Sequence, residues 1–450
     1  MKKSLNFALI NCNVFDGNLD CEISQDAVIL VKNESDERKD LGIIENIGNK
    51  ADVEIPPNYT QIDLKGNYVI PGLINAHAHI MGEGKPRTLT GKSDKSLQRF
   101  AWLMRRWIGK KVVMRMMREN ATSALNAGVT TIRSLGEPYY YDMELRKDIE
   151  EKKKFVGPRI LISGPPLCVT GGHGWLIAHI IDSPWEARKA VRENLRKEVD
   201  QIKLISTGGV MDSKRIGEAG RPQMTLEEIA AACDEAHRAG IRVAAHAQST
   251  LGIKEALLGG VDTIEHGAEL DTECIELFKN NPKALKGYSA LVPTLSAPIT
   301  LLEWGVEVLK ITKVQQENTV LVRDGLIKGF RQALREGIKV GAGTDASIPL
   351  VPHYDFWKEL EYYVQYGNIS PKEAIYHATK VNAEILGIDD ETGTIEIGKS
   401  ADLIVLDDNP LENLNVLSTP RMVIRAGYLI DAPKVRKVKQ IEKIKRKKEK

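Results

Sequence analysis

Short apolar runs alternate with helix-patterned segments through the middle of the chain. Eight of these runs are rich in β-branched residues and end in glycine or polar residues, which is typical of β-strands. They cover residues 69–79, 129–136, 159–167, 201–209, 241–248, 261–267, 290–296 and 338–346. Helical segments intervene, such as the amphipathic run at 226–240 that ends at Gly240. Strand–helix alternation repeated eight times predicts an α/β fold, namely a parallel (β/α)₈ TIM barrel.

Both ends of the chain have a different texture. Residues 4–70 and 393–432 carry several short apolar runs separated by turn residues, which predicts β-strands. We expect these two ends to pair into a small composite β-sandwich. The expected domains are therefore the sandwich, the catalytic barrel and a basic tail, at residues 1–68 with 391–432, 69–390 and 433–450.

The last 17 residues are strongly basic. They contain ten Lys or Arg and two Glu, a local charge of +8 in a chain whose net charge is +2, so the remainder is about −6. Val435, Val438, Ile441 and Ile444 recur at three-residue spacing, which indicates a short amphipathic surface helix. No aromatic side chains are interleaved for base stacking, so specific nucleic-acid binding is not expected.

The segment from 81 to 121 is long for a connection between a strand and a helix. Its basic, Met- and Trp-rich run predicts an amphipathic helix that either covers the site or lies at a subunit contact, and we expect a homo-oligomer. No run approaches 18 apolar residues, so no membrane span is expected. The five cysteines are scattered and form no metal or disulfide motif, which favours a reducing, cytoplasmic location.

Chemically reactive residues recur near the ends of five predicted strands. They are His77, His79, Lys203, His246, His266 and Asp345. Taken singly, each has an ordinary reading: a histidine bonded to backbone, an aspartate that caps a helix, a lysine whose amine reaches solvent. Lys203 is the hardest to explain in this way, because it lies between apolar neighbours where a charge is costly. Since barrel enzymes place their sites at the carboxyl ends of strands, the six residues together predict a metal site.

Several motifs resemble the amidohydrolase superfamily, in particular its prolidase-like and imidazolonepropionase-related branch. These motifs are PGLINAHAH, IKLISTGG, AAHAQ, IEHG and GTDAS, with GTIEIGKSADLIVLD near the end of the chain. The resemblance spans residues 5 to 432. It implies a metal-bearing (β/α)₈ barrel with a small β-sandwich formed by both chain ends.

The resemblance also implies a two-metal site. His77, His79 and Asp345 would hold one ion, and His246 and His266 the second. Lys203, carboxylated by CO₂, would bridge them. The nitrogen and oxygen ligands suit zinc, with manganese or cobalt as alternatives. Asp345 and Lys203 would be the catalytic residues, with Asp345 moving a proton during hydrolysis of an amide C–N bond.

The substrate implied by the resemblance is a small molecule, a dipeptide or N-acyl amino acid as for an Xaa-Pro dipeptidase. Cyclic amides, carbamates and ureas remain compatible, whereas Lys203 argues against imidazolonepropionase activity. A non-catalytic binding protein on the same scaffold is the rival class, and the complete ligand set favours an enzyme. Candidate substrate contacts are His173 of the GGHG motif, Arg215, Arg221 and Tyr288. Each of these also fits an ordinary loop side chain.

Overall fold

The computed structural model describes residues 6–35, 40–87 and 94–448. The strands are β1 (Phe7–Val14), β2 (Ser24–Ser35), β3 (Asp40–Asn49), β4 (Thr60–Asp63), β5 (Tyr68–Pro71), β6 (Leu73–Ala78), β7 (Val129–Ser134), β8 (Arg159–Leu161), β9 (Leu167–Cys168), β10 (His179–Ile180), β11 (Gln201–Ile205), β12 (Arg242–Ala247), β13 (Thr263–His266), β14 (Ala290–Val292), β15 (Leu403–Leu406), β16 (Met422–Arg425) and β17 (Tyr428–Asp431).

Helices separate most of the central strands. They are α1 (Asp94–Arg105), α2 (Trp107–Asn126), α3 (Tyr141–Glu150), α4 (Pro184–Leu195), α5 (Leu226–His237), α6 (Thr250–Gly259), α7 (Thr272–Lys279), α8 (Ser296–Trp304), α9 (Lys313–Arg335), α10 (Phe356–Gly367), α11 (Pro371–Tyr376), α12 (Asn382–Leu386) and α13 (Lys439–Lys448). No helix in the described ranges is both long and apolar enough to cross a membrane.

The central strands pair in parallel and in chain order. β6 pairs with β7 and β7 with β8, while β11, β12, β13 and β14 form a second parallel run. The Asp200 N–H donates to the Ile162 carbonyl and links the two runs. The segment around 340–346 then bridges β14 at Leu291 and returns to β6 at Ala78. This ring of parallel strands with helices between them is the arrangement of a TIM barrel.

The predicted strands differ from the observed ones mainly at their ends. The seventh was expected over 290–296, but β14 ends at Val292. Pro293 follows, which has no N–H to donate to a ladder, and Thr294 has a left-handed backbone with φ of 49°. The eighth segment makes isolated bridges rather than a continuous ladder. The helix predicted at 226–240 is confirmed as α5, which begins with a capping box between Thr225 and Glu228.

Both chain ends contribute to one further sheet, with strand order β17-β16-β15-β5-β1-β2-β3 and with β4 paired to β1. β15, from the end of the chain, pairs antiparallel with β5 from its beginning. Strands from the two chain ends thus lie in one sheet. The hydrogen bonds join these strands into a single continuous sheet, and its division into two facing layers stays a prediction.

Successive side chains of a strand point to opposite faces of the sheet, so the sheet contacts a different hydrophobic cluster on each face. Val69 and Leu403 belong to a cluster enclosed by the sheet itself, whereas their neighbours Ile70 and Ile404 belong to the large core of the barrel. The second face of the sheet thus packs against the barrel.

The long segment after β6 forms two helices rather than the single one expected. The break falls at Arg106, whose extended backbone (φ −70°, ψ 152°) separates α1 from α2. The basic tail forms α13 and is docked on the barrel, with Ile441 fully buried. The tail helix expected from the spacing of Val435, Val438, Ile441 and Ile444 is present only from Lys439 onward, so the first two of these residues precede it.

Candidate active site

The barrel places all six predicted ligand residues at the carboxyl end of its strands. They come from β6 and the residue after it, from β11, β12 and β13, and from the eighth segment around 340–346. All of them line one cavity: His77, His79, Lys203, His246, His266 and Asp345. Parallel pairing is the reason for this convergence, because it brings the carboxyl ends of the strands to the same rim.

Asp345 lies against both histidines of the His-x-His motif. Its Oδ1 is 3.2 Å from His79 Nε2 and 3.4 Å from His77 Nε2. Side-chain atoms of His77, His266 and Asp345 lie within 4.8 Å of one another, close enough to hold one metal ion. Burial opposes ionisation of Asp345, but the two neighbouring imidazoles outweigh it, so its pKa lies well below the usual value. The site therefore offers an anionic oxygen beside imidazole nitrogens.

Lys203 lies inside the barrel and is only 3% exposed. Its Nζ is buried and has no hydrogen-bond partner among the described residues. Burial lowers the pKa of this amine to about 8, with the nearby Glu265 acting in the opposite direction. A buried ammonium without a partner is unfavourable, so this position suits an amine that is neutral or chemically modified.

The other two histidines each have one ring nitrogen engaged. His246 Nε2 lies 2.8 Å from the Gly208 carbonyl, and His266 Nδ1 lies 2.8 Å from Thr294 Oγ1. This leaves Nδ1 of His246 and Nε2 of His266 as the atoms available to a metal. Burial and neighbouring cationic groups keep the pKa of both rings well below the ordinary value, which favours the neutral form that binds metals.

Three residues of the site have left-handed backbones although none is glycine. They are His266, Thr294 and Asp345, with φ of 70°, 49° and 58°. Such conformations are unfavourable for residues with a Cβ and persist where surrounding contacts determine them. Two proposed ligands, and the residue whose hydroxyl contacts one of them, thus have this conformation.

The cavity has a volume of about 360 Å³. Its polar side is formed by the six residues above together with Glu137, His173 and Gln248, while most of its remaining lining is apolar. Many of the apolar lining residues come from the loop after β11, from helices α8 and α9, and from the loop after Asp345: Val210, Met211, Pro298, Leu301, Val322, Leu326, Ile348 and Pro349. None of the arginines in the described ranges lines it.

His173 is the predicted substrate contact that reaches the cavity. Its ring centroid is 5.0 Å from that of His246, and its Nδ1 lies 2.5 Å from Asp212 Oδ2. Its backbone N–H donates to Gln223 Oε1 at 2.9 Å. The backbone of Gly209 packs closely against the ring, since a Cβ there would lie closer than 3.0 Å to the imidazole. His173 is thus a held side chain rather than a free loop residue.

The other three predicted substrate contacts are not brought into the cavity. Arg215 and Arg221 lie on the expected loop, but both side chains are exposed and face Glu218. Tyr288 precedes β14 and so lies at the amino end of the barrel, where its ring packs under Lys339 with 5.2 Å between amine and ring centroid. The alternation argument that placed Tyr288 near the site considered which face it shared and not which end of the strand it occupied.

Sequence reasoning missed two buried charged residues beside the ligands. Glu265 Oε2 lies 2.6 Å from His77 Nδ1, and Glu265 Oε1 accepts a hydrogen bond of 2.6 Å from Arg133. Burial would raise the pKa of Glu265, but the Arg133 guanidinium and His77 outweigh it and hold the pKa at about 2. Both residues interrupt apolar strands, TTIRS and DTIEH, which is the signal that pointed to Lys203.

Glu137 was also missed. It is 1% exposed, lines the cavity and accepts hydrogen bonds from the N–H groups of Ile80 and Met81. Burial raises its pKa to about 7 despite the nearby His79. It fixes the chain that leaves the His-x-His motif.

Comparison with known proteins agrees with this geometry. The sequence model of the amidohydrolase family matches residues 68–429. The chain belongs to the amidohydrolase family. This amidohydrolase is accordingly an enzyme, a hydrolase that acts on carbon–nitrogen bonds, and the His77, His266 and Asp345 cluster is a possible site for the divalent metals that the family generally uses.

Similar proteins are found among curated sequences and among solved structures. The amidohydrolase is 28% identical over 433 residues to ochratoxinase from Aspergillus niger, covering 87% of this chain and 82% of the relative. Among solved structures, a candidate prolidase from Bifidobacterium longum is 40% identical with a TM-score of 0.84, covering 99% of this chain and all of the other. A Xaa-Pro dipeptidase with bound methionine is 28% identical with a TM-score of 0.78, covering 95% of this chain and all of the other.

Proposed function

We propose that this amidohydrolase is a two-metal enzyme that cleaves the amide bond of a dipeptide or an N-acyl amino acid. One observation carries the proposal: a buried Lys203 amine, without a hydrogen-bond partner among the described residues, shares a cavity with five histidines and an aspartate. The similar structures described as prolidase and Xaa-Pro dipeptidase support the substrate class.

The proposed site holds two ions, and His266 faces both positions, since its donor atom lies within 4.8 Å of those of His77 and Asp345. His77, His79 and Asp345 would hold one, and His246 and His266 the other. Lys203 would be carboxylated: its neutral amine attacks CO₂, an N–C bond forms, a proton is released, and the resulting carbamate supplies two anionic oxygens. Nitrogen and oxygen ligands of this kind suit zinc, with manganese or cobalt as alternatives. When bound, such ions lower the pKa of a water molecule and polarise the scissile carbonyl.

The chain's own residues supply the rest of the chemistry. Asp345, held in its anionic form, would accept the proton of the attacking water and pass it to the leaving nitrogen. His173, held by Asp212, would donate a hydrogen bond to the substrate carboxylate from Nε2. The apolar walls would accommodate an uncharged side chain or acyl group and keep bulk water from the reacting bond.

Metal analysis of the purified protein tests the site. We expect about two zinc ions per chain after reconstitution with zinc and bicarbonate, and a large loss of bound metal in Lys203→Ala that propionate or acetate partly restores. Lys339→Ala is the matched control, since Lys339 is a partly buried lysine at the other end of the barrel. Full metal occupancy in Lys203→Ala would refute the assigned role of Lys203.

A substrate screen tests the reaction. The zinc-loaded protein should hydrolyse members of a dipeptide and N-acyl amino acid library, with apolar side chains preferred over charged ones. Cyclic amides, carbamates and ureas form the second half of the screen. Turnover confined to that half would reject the substrate class while leaving the reaction class in place.

A further inference from the structure

A chain of buried polar groups lies directly behind His77. The Arg133 guanidinium donates to the Ala76 carbonyl, to Thr263 Oγ1 at 3.0 Å and to Glu265 Oε1 at 2.6 Å. Glu265 Oε2 then faces His77 Nδ1 at 2.6 Å. Arg133 and Glu265 are 2% and 0% exposed. The network thus joins β7 and the adjacent β6 to β13, a strand that pairs with neither of them.

A network of this kind contributes little net free energy to folding. A buried arginine–carboxylate pair loses the hydration of both charges, and apolar residues of similar volume often stabilise a fold as well or better. The geometry here is directional. The carboxylate is aimed at one ring nitrogen of His77, and the guanidinium also grips the carbonyl immediately before His77.

The consequence falls on the protonation of the His77 ring. An ionised carboxylate can only accept a hydrogen bond, so the Nδ1 facing Glu265 must carry the proton. Nε2 of the neutral ring then bears the lone pair and points toward Asp345, at 3.4 Å from its Oδ1. We infer that Arg133 and Glu265 are positioning residues that fix the tautomer and angle of His77, so that Nε2 is the atom offered to a metal ion.

This inference rests on the proposed metal-dependent function for its purpose, but its central claim concerns a proton and is measurable without metal. Glu265→Gln is the decisive change. Arg133 needs an acceptor, so the glutamine would turn its carbonyl oxygen to Arg133 and its N–H to His77. His77 Nδ1 would become an acceptor, the proton would move to Nε2, and the metal-facing lone pair would be lost.

The first measurement is ¹⁵N NMR of the metal-free protein labelled at histidine, with His77 assigned by its loss in His77→Asn. We expect protonated Nδ1 in the unchanged protein and protonated Nε2 in Glu265→Gln. An unchanged tautomer in Glu265→Gln would overturn the inference, whatever the protein does with metal.

The second measurement is zinc affinity by competition with a fluorescent chelator, without substrate. Removing a partner that orients a metal-binding histidine typically costs 10- to 100-fold in affinity, so we expect a loss of about that size in Glu265→Gln. Wild-type affinity in this variant would also overturn the inference. If the unchanged protein binds no zinc, the proposed function fails, while the tautomer measurement still decides the inference.

A control and a milder variant complete the test. Asp402→Asn is the control, because Asp402 is a buried carboxylate that pairs with Arg159 and Arg425 and contacts none of the proposed ligands. It should lose stability and keep wild-type zinc affinity. Should Glu265→Gln fail to fold, Thr263→Val carries the test, since its hydroxyl contacts both Arg133 and Glu265. Loss of these hydrogen bonds should weaken zinc binding at least about threefold, and an affinity within twofold of wild type would contradict the inference.

Discussion

The His173 ring at the cavity rim is held by Asp212 on one side and by the backbone at Gly209 on another. Gly209 has an extended backbone with φ of −135°, which alanine adopts without strain. Gly209→Ala should therefore displace the imidazole without straining the loop backbone. We expect KM for a dipeptide substrate to rise roughly tenfold, the size of one displaced charged hydrogen bond, with little change in kcat.

Steady-state kinetics on Gly209→Ala and His173→Asn give the measurement. Gly325→Ala is the control, because the added methyl there meets only ordinary contacts of 3.6 Å or more. If Gly209→Ala keeps wild-type KM while His173→Asn does not, the ring tolerates displacement and its held position is unimportant.

Asp345 carries the second prediction at this scale. Asn in its place keeps the shape and one ligating oxygen but cannot accept a proton, so kcat should fall by about 10²- to 10⁴-fold. Metal content, measured by mass spectrometry, should stay near that of the unchanged protein. Asp355→Asn lies in the same loop and pairs with Lys445 away from the cavity, so its kcat should be unaffected. Normal turnover in Asp345→Asn would exclude the residue as proton acceptor.

Residue identity was predictable where a polar side chain ends a strand that the sequence itself delimits. His77, His79, His246 and His266 are of this kind. Glu265 and Arg133 were not found, because their importance depends on which strands face each other across the barrel. Tyr288 was misplaced for a related reason. Alternation predicts which face of a strand a residue shares, but whether the residue lies at the amino or the carboxyl end depends on where the strand begins, and β14 begins only at Ala290.

At the level of elements, strand and helix positions followed from local pattern, and the departures have local causes. The helix predicted within the segment 81–121 divides at Arg106. Gly109 lies close to this break, and a Cβ on it would clash with the Leu103 carbonyl. The tail helix was predictable from its spacing, but its docking was not. Its buried Ile441 meets a surface formed by residues nearly 90 positions earlier, around Leu350 and Pro352.

Docking of α13 leads to a prediction about local opening. Ile441 is 1% exposed, Val438 N–H donates to the Tyr354 hydroxyl at 3.0 Å, and Lys445 pairs with Asp355 at 2.5 Å. Ile→Ala at a buried site costs about 2–5 kcal/mol. Ile441→Ala should therefore raise the population of the undocked tail by more than about tenfold.

Limited trypsin digestion measures this opening, because the tail is rich in cleavage sites. Cleavage within 434–448 should accelerate in Ile441→Ala, while Gln440→Ala, an exposed position next to it, should behave as the unchanged protein. Equal cleavage rates would mean that the helix is not held by Ile441. Ile444 of the same helix packs against a cluster containing Leu301 and Met211, which also line the cavity, so undocking should alter KM as well.

For the whole molecule, the pairing of the first and last parts of the chain was predictable, because both carry the same β-rich pattern. In the structure, β15 from the end of the chain pairs with β5 from its beginning. The division at residues 68 and 391 stays a prediction, since Ile70 and Ile404 join the sheet to the barrel core. The assembly state also stays a prediction, and one surface bears on it directly.

Helices α1 and α2 expose a group of large apolar side chains. They are Phe100, Trp102, Leu103, Trp107, Ile108 and Val112, each at least 46% exposed. Contiguous exposed apolar groups of this size usually mark an interaction site, whereas a single one such as Trp185 needs no explanation. We predict that this face, defined by the six residues, joins copies of the chain into the expected homo-oligomer.

Light scattering coupled to size-exclusion chromatography measures the assembly state. The unchanged protein should elute as an oligomer at micromolar concentration, and Trp107→Glu with Ile108→Glu should dissociate it, because a buried unpaired carboxylate costs several kcal/mol at an interface. Trp185→Glu is the control: it is more exposed than either residue, at 79%, but isolated on α4, so it should leave the assembly intact. A monomeric unchanged protein would reject the interface. Dissociation by Trp185→Glu alone would move the interface to α4.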